Sequence, residues 1–248
     1  MAIAKENINK EKLPKHIAVI MDGNGRWAKS KGAARIFGHK NAITAVREVT
    51  EASAELGVGY LTLYAFSTEN WGRPKDEVMA LMKLLVSTIR GEIKTLKKNN
   101  VRLQAIGAID NLPGSCQKEL AEAIEKTKNN TGLTLVLALS YSGRWEILEA
   151  VKKVADKVKN QEMSSSEIDE ETFAGLLNTG TFPDPELLIR TSGEMRISNF
   201  LLWQIAYTEI YFTDKLWPDF RKEDLYEAIL SFQARERRFG RISEQVNT

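Results

Sequence analysis

Asp22-Gly23-Asn24-Gly25-Arg26-Trp27-Ala28 directly follows an apolar run, Ile17–Met21, and holds the first residues able to do chemistry. Two glycines one residue apart permit backbone torsions that line up successive N–H groups into an anion-binding nest. A helix starting there would add a partial positive charge. The spacing Gly23-x-Gly25-x-x-Ala28 also fits the dinucleotide fingerprint. That fingerprint needs an acid about 20 residues on, at the end of a second strand. Glu48 falls inside a helical pattern and the next strand begins near Tyr60, so the nicotinamide reading fails. Asp22 is left to explain. A carboxylate beside a nest repels phosphate unless a divalent cation bridges them, as Mg²⁺ does. For this segment alone, an Asp-Gly turn without chemistry is the plain alternative.

Three further clusters carry polar chemistry. Arg35 and Gly38-His39 stand just before a helical pattern, where forked Arg bonds and a His donor suit a diphosphate. Tyr64-Ala-Phe-Ser-Thr-Glu-Asn-Trp-Gly-Arg-Pro74 packs aromatic, polar and cationic residues together. Phe66 and Trp71 can form an apolar wall there, and Ser67, Asn70 and Arg73 can meet a polar head group. Read alone, Ser67 and Thr68 equally well cap a turn. Arg190, Arg196 and Ser198 have the composition of a second anion pocket. Glu209, an acid in the apolar stretch Ala206–Ile210, is a candidate second metal ligand, with a structural ion pair as the alternative.

The elements that must position these residues are readable. Strand-length apolar runs at Ile17–Met21, Tyr60–Phe66, Val101–Ile106, Leu133–Leu139, Leu187–Ile189 and, more weakly, Ile210–Phe212 lack polar alternation, as strands covered on both faces do. Helical patterns lie near 41–56, 76–98, 115–128, 144–159 and 222–237. This alternation predicts a single α/β domain from about residue 16 to the end, with a mostly parallel sheet and helices on both faces, behind a polar arm over 1–15. Such sheets bind ligands beyond the carboxyl ends of their strands, where the unusual residues fall.

Composition excludes several classes. Over 248 residues, 35 Lys+Arg balance 33 Asp+Glu to a net charge of +2, which argues against nucleic acid. Cys116 is the one cysteine and His16 and His39 the two histidines, so disulfide frameworks and cysteine-rich zinc sites are out. The arm has no apolar segment of the kind a signal peptide needs, and no apolar run approaches a membrane span's roughly 20 residues, so a soluble cytoplasmic protein is expected. There is no P-loop, no G-x-S-x-G elbow, and no Asp-Asp pair of the trans-type prenyl synthases.

The run His16–Ala28, then Arg35 and Gly38-His39, then Tyr64–Pro74, then Arg190–Leu202 closely resembles the cis-prenyltransferase family, over about His16 to Arg241. The resemblance implies a six-stranded parallel sheet with a hydrophobic tunnel. It implies farnesyl diphosphate as allylic starter and isopentenyl diphosphate as extender, joined through cis double bonds into a long-chain polyprenyl diphosphate for a cell-wall carrier lipid. It makes Asp22 the essential acid working with Mg²⁺, with Glu209 helping to bind the metal. Gly23, Asn24, Gly25, Arg26, Arg35 and His39 would hold the allylic diphosphate, with Trp27 beside them. Arg190, Arg196 and Ser198 would hold the isopentenyl diphosphate. Ser67, Glu69, Asn70, Trp71 and Arg73 would belong to a mobile active-site segment, with Asn70 near the chemistry. A homodimer is implied in which Arg238 and Gly240 complete the partner's site, and the product is delivered to a membrane that the protein contacts peripherally. The chain departs from the family at Asn41-Ala42, Gly72, Ala108 and Ser142, none of them a named catalytic group.

The helical pattern 76–98 is apolar around too much of its circumference for a helix that packs by one face. It is therefore expected to line the tunnel together with Leu133–Leu139.

Overall fold

The structure, a computed structural model, describes residues 5–236. Six strands form one all-parallel sheet in the order β3-β4-β2-β1-β5-β6: β1 (His16–Ile20), β2 (Tyr60–Ser67), β3 (Arg102–Ile106), β4 (Thr134–Tyr141), β5 (Leu187–Arg190) and β6 (Glu209–Phe212). The expected strands are all present, and the sheet is parallel throughout. β1, β4 and β5 are buried along their whole length, which is why their sequences show no polar alternation.

Helices cover both faces. On one side α2 (Arg35–Leu56), α3 (Lys75–Lys98), α4 (Gly114–Thr127) and α7 (Lys222–Gln233) build the larger core around Ile17, Val19, Leu61, Leu63 and Leu139. On the other, Trp145 of α5 (Gly143–Lys159) and the segment carrying Phe182, Phe200 and Leu201 pack on Ala18, Ile20, Val136 and Ala138. Alternate β1 residues therefore face opposite cores, as strand geometry requires. Two short helices, α1 (Asn24–Ser30) and α6 (Glu170–Leu176), complete the fold. The polar arm is docked: Ile8 is buried, and Gln233 donates to the carbonyls of Asn9 and Lys12.

β1 is the pivot of the winding. The chain leaves it toward β2 on one flank and comes back from β4 to β5 on the other. In a parallel sheet such a reversal opens a crevice beyond the carboxyl ends of the two strands concerned. Asp22 and Arg190 are placed there.

One helix start differs from expectation. α2 begins at Arg35, not near residue 41, so Arg35, Gly38 and His39 lie inside the helix. Gly38 acts as a contact point, not as a breaker. A Cβ on it would sit 2.0 Å from the Asn24 carbonyl oxygen, so only glycine lets α2 approach the backbone of α1 this closely.

Candidate active site

The site is built at the carboxyl edge from four chain segments. Gly23, in the left-handed region at φ 104°, turns the chain from β1 into α1. Its N–H donates to Asp22 Oδ1 at 2.6 Å, and the first intrahelical bond runs from Trp27 N to the Gly23 carbonyl. The N–H groups of Asn24, Gly25 and Arg26 come before that bond and have no partner within the helix, as at any helix start. Asp22 Oδ2 accepts from Arg190 Nη2 at 2.9 Å, and Arg26 stands 3.7 Å away. Burial alone would push the Asp22 carboxyl up. The Arg190 and Gly23 bonds and the charges of both arginines overcome it and hold the group below the usual carboxylate range.

Arg190 is 3% exposed, closes β5, and is gripped from several sides. Its Nη1 donates to Ser198 Oγ at 2.7 Å and to the Arg196 carbonyl, while its Nε is buried without a partner. A buried guanidinium with one donor unspent is the kind of group that an incoming anion satisfies. The loop holding it is strained: Ser192, Ser198, Asn199 and Leu201 all have positive φ without being glycine. Such torsions persist only where surrounding contacts enforce them. Here Ser192 accepts from Arg26 through its carbonyl oxygen at 2.9 Å and through its hydroxyl at 2.5 Å. Asn199 donates to Glu69 Oε1 at 2.9 Å.

On the α2 side, His39 sits beneath α1, 3.4 Å from Asn24 Nδ2 through its Nδ1. Burial, reinforced by the charges of Arg73 and Arg35, lowers its pKa to about 4, so the ring is neutral at pH 7. Asn24 Oδ1 and Trp27 Nε1 are buried without partners. Glu77 gathers Arg73 (3.1 Å) and Arg35 (3.8 Å) at the same rim.

The segment after β2 is shaped by a bulge. Tyr64 pairs with Ala138 and Phe66 with Leu139, so Ala65 is the extra residue. Beyond it Ser67 and Asn70 form a capping box, the Ser67 N–H donating to Asn70 Oδ1 at 3.1 Å. Trp71 meets Phe66 edge to face, with ring centroids 5.0 Å apart, and donates from Nε1 to Ser140 Oγ at 2.9 Å.

Two cavities meet at these residues. One, of ≈ 290 Å³, runs from Asp22, Gly23, Arg35 and His39 at its mouth inward between α2 and α3 and over β2 and β4, past Val46, Leu85, Ile89 and Leu137. The other, of ≈ 490 Å³, is bounded by Asp22, Ser67, Glu69, Arg190, Ser198 and Asn199. Asp22, Tyr64, Asn70 and Arg73 line both. An apolar tube and a polar bowl, whose charged lining is Asp22, Glu69, Arg73 and Arg190, thus share one wall.

Comparison with known proteins decides the family. Residues 20–240 match the family model described as "Putative undecaprenyl diphosphate synthase". This chain belongs to that family, the cis-prenyltransferases. It is 55% identical to the isoprenyl transferase of Chlorobaculum tepidum, over 95% of this chain and 89% of that one. It is 54% identical to the ditrans,polycis-undecaprenyl-diphosphate synthase ((2E,6E)-farnesyl-diphosphate specific) of Micrococcus luteus, over 96% of each chain. The crystal structure of lavandulyl diphosphate synthase from Lavandula x intermedia in complex with dimethylallyl diphosphate superposes with a TM-score of 0.90 at 39% identity, covering 93% of this chain and 99% of that one.

Among the residues this cis-prenyltransferase sequence singled out, the structure gathers Asp22, Gly23, Asn24, Gly25, Arg35, His39, Asn70 and Arg73 along the apolar cavity, and Ser67, Glu69, Arg190 and Ser198 around the polar one. Arg26 and Arg196 flank the second, both paired to Glu194. Glu209 is not brought to Asp22 within the chain. It opens β6 opposite Leu187, three strand positions (about 10 Å) below the level of Arg190. It pairs there with Arg235 at 2.8 Å, the ion-pair alternative to a metal ligand. Arg238 and Gly240 lie outside the described residues. No cluster of three or more His, Cys, Asp or Glu able to hold a metal occurs among the described residues.

Sequence reasoning missed the groups that hold the cations. Glu77, Ser192, Glu194 and Thr191, whose hydroxyl accepts from Asp22 N and donates to the Asp22 carbonyl, carry no motif of their own. Only Glu77 had a signal: it is an acid in the first turn of α3, four residues after Arg73.

Proposed function

We propose that this protein condenses isopentenyl diphosphate onto farnesyl diphosphate and repeats the step with cis double bonds to make undecaprenyl diphosphate. One observation carries the reading: the apolar cavity and the polar cavity that holds Arg190 share Asp22, Tyr64, Asn70 and Arg73. A starter with its chain in the first and its diphosphate at the mouth would face an extender whose diphosphate lies in the second.

In the reaction the allylic carbon–oxygen bond breaks, a carbon–carbon bond forms to the extender alkene, and a proton leaves the extender. Negative charge grows on the departing diphosphate, and preorganised donors aimed at it lower the barrier. The α1 N–H groups, Arg35 and neutral His39 surround that position, and Arg190, Ser198 and Arg196 would grip the second diphosphate. Holding both ends fixes the reacting carbons in line, which removes most of the orientational cost.

Mg²⁺ fits this site. Hard, oxygen-seeking Mg²⁺ is usually held by one or two carboxylates and completed by substrate phosphate oxygens, and Asp22 is kept ionised beside a phosphate-suited nest. When bound there, Mg²⁺ would neutralise charge on the leaving diphosphate. Asp22 would hold it, in competition with the Gly23 N–H and Arg190 that its oxygens now accept from.

No helix among the described residues is long and apolar enough to cross a membrane. The reading places the enzyme in the cytoplasm as a homodimer, without nucleic acid, handing a carrier-lipid precursor for peptidoglycan and cell-wall synthesis to a membrane it touches peripherally. Arg238 and Gly240 would complete the partner's site.

The test is mass spectrometry of the lipid that purified protein makes from farnesyl diphosphate, isopentenyl diphosphate and Mg²⁺. A polyprenyl diphosphate built in five-carbon steps is expected. No lipid product would contradict the reading.

A further inference from the structure

Three segments meet at the start of α5, through three consecutive residues. Ser142 Oγ, at a position where the chain departs from the family, accepts from Thr68 Oγ1 at 2.9 Å. The Gly143 N–H donates to the Asn199 carbonyl at 2.6 Å, and the Arg144 N–H donates to Asn199 Oδ1 at 2.9 Å. Two of the N–H groups that a helix start leaves over are thus spent on one asparagine. The other end of its carboxamide, Nδ2, donates to Glu69 Oε1 at 2.9 Å. Burial alone would push the Glu69 carboxyl up. The Asn199 bond leads those that hold it below the usual carboxylate range, so an ionised oxygen faces the amide. Asn199 stands at φ 60°, in the left-handed region that asparagine adopts more readily than most residues.

Asn199 is one residue away from each half of the site. Ser198, before it in the chain, accepts from the Arg190 guanidinium at 2.7 Å. Asn70, after its partner Glu69, lines both cavities. We infer that Asn199 is a positioning residue for the condensation: by holding Glu69 and the start of α5 at once, it fixes the segment after β2 against the loop that grips the second diphosphate. The inference rests on the reading above, in which Arg190 and Ser198 hold isopentenyl diphosphate. A carboxamide suits the task because it carries a donor and an acceptor on one rigid plane, and each is used on a different segment. The bond to the Glu69 carboxylate is charge-assisted and so the stronger of the two. The Thr68–Ser142 bond backs it up: the segment is fastened at two consecutive residues and cannot leave α5 without breaking both ties.

The test is a double-mutant cycle read by steady-state kinetics with farnesyl diphosphate, isopentenyl diphosphate and Mg²⁺, with unfolding midpoints measured in parallel. Asn199→Asp keeps the size, the tolerance of the left-handed backbone and the acceptor for Arg144, but sets a second carboxylate against Glu69. It is expected to raise the KM for isopentenyl diphosphate roughly tenfold or more, and to leave that for farnesyl diphosphate nearly unchanged. In a Glu69→Gln background the same substitution should cost much less, because a glutamine amide can donate to the new carboxylate. A merely structural Asn199 would cost the same in both backgrounds, and that result overturns the inference. So does a wild-type KM for isopentenyl diphosphate, or an equal rise for both substrates. If Asn199→Asp does not fold, Ser142→Gly decides, since it releases only the Thr68 tie. A rise confined to the KM for isopentenyl diphosphate then supports the inference, and unchanged constants overturn it. Absence of any polyprenyl product from the wild-type protein would instead overturn the reading on which it rests.

Discussion

Arg190, the last residue of β5, and Asp22, two residues past the end of neighbouring β1, are joined at 2.9 Å between a guanidinium and a carboxylate. The guanidinium is almost fully buried, while the carboxylate is partly open toward both cavities. The pair therefore stands between the two cavities proposed to hold the two diphosphates. Its carboxylate is held ionised, and its cation keeps one donor unspent.

Arg190→Lys tests the cationic half. Lysine keeps the charge but cannot bond Asp22, Ser198 and the Arg196 carbonyl at once. Steady-state kinetics should show the KM for isopentenyl diphosphate rising roughly tenfold or more, with a smaller change for the allylic substrate. An equal rise for both would mean that Arg190 does not belong to one pocket.

Gly38→Ala tests the packing that seats His39 against α1. Its Cβ would lie 2.0 Å from the Asn24 carbonyl, so α1 or α2 must move. Overpacking of this kind costs about 1–3 kcal/mol, which urea denaturation should register together with a loss of turnover. Unchanged stability would show that the seam is loose.

Leu85 and Leu137 line the apolar cavity, from α3 and β4. Leu85→Ala should lengthen products and Leu137→Trp should shorten them, read from the mass of extracted lipid. Unchanged lengths in both would remove the cavity as the chain's container.

His16 carries a pH dependence of stability. Its Nδ1–H donates to the Pro183 carbonyl at 2.6 Å and its Nε2 accepts from Thr62 Oγ1 at 2.7 Å, and burial lowers its pKa to about 4. The folded state thus keeps the ring neutral, while the unfolded chain takes a proton near pH 6.5. Its contribution is complete above pH 6.5 and is lost as pH falls from there through about 4. The loss is bounded at about 3 kcal/mol. Urea midpoints between pH 7 and 4.5 should fall less steeply for His16→Gln than for wild type, with the His39 slope remaining.

The strands and the cations at their carboxyl ends were legible because covered strands write continuous apolar runs and parallel sheets put ligands at one edge. Arg35 and His39 were legible as site residues but not as helix residues, since the helical pattern reads only from about residue 41, whereas α2 starts at Arg35 and uses Gly38 as a contact point. Glu209 was legible as an acid that needs a partner among apolar residues, but sequence does not say which; within the chain Arg235, 26 residues on, is one. The acceptors Ser192 and Glu194 were illegible because the loop reaches its positive-φ turns largely without glycine.

The central claim is that Asp22, where the two cavities meet, organises diphosphate departure. Incorporation of labelled isopentenyl diphosphate into butanol-extractable lipid, compared between wild type and Asp22→Ala at equal stability, tests it most directly. The account predicts a loss of roughly 10³-fold or more in the variant. Wild-type incorporation by Asp22→Ala would contradict it.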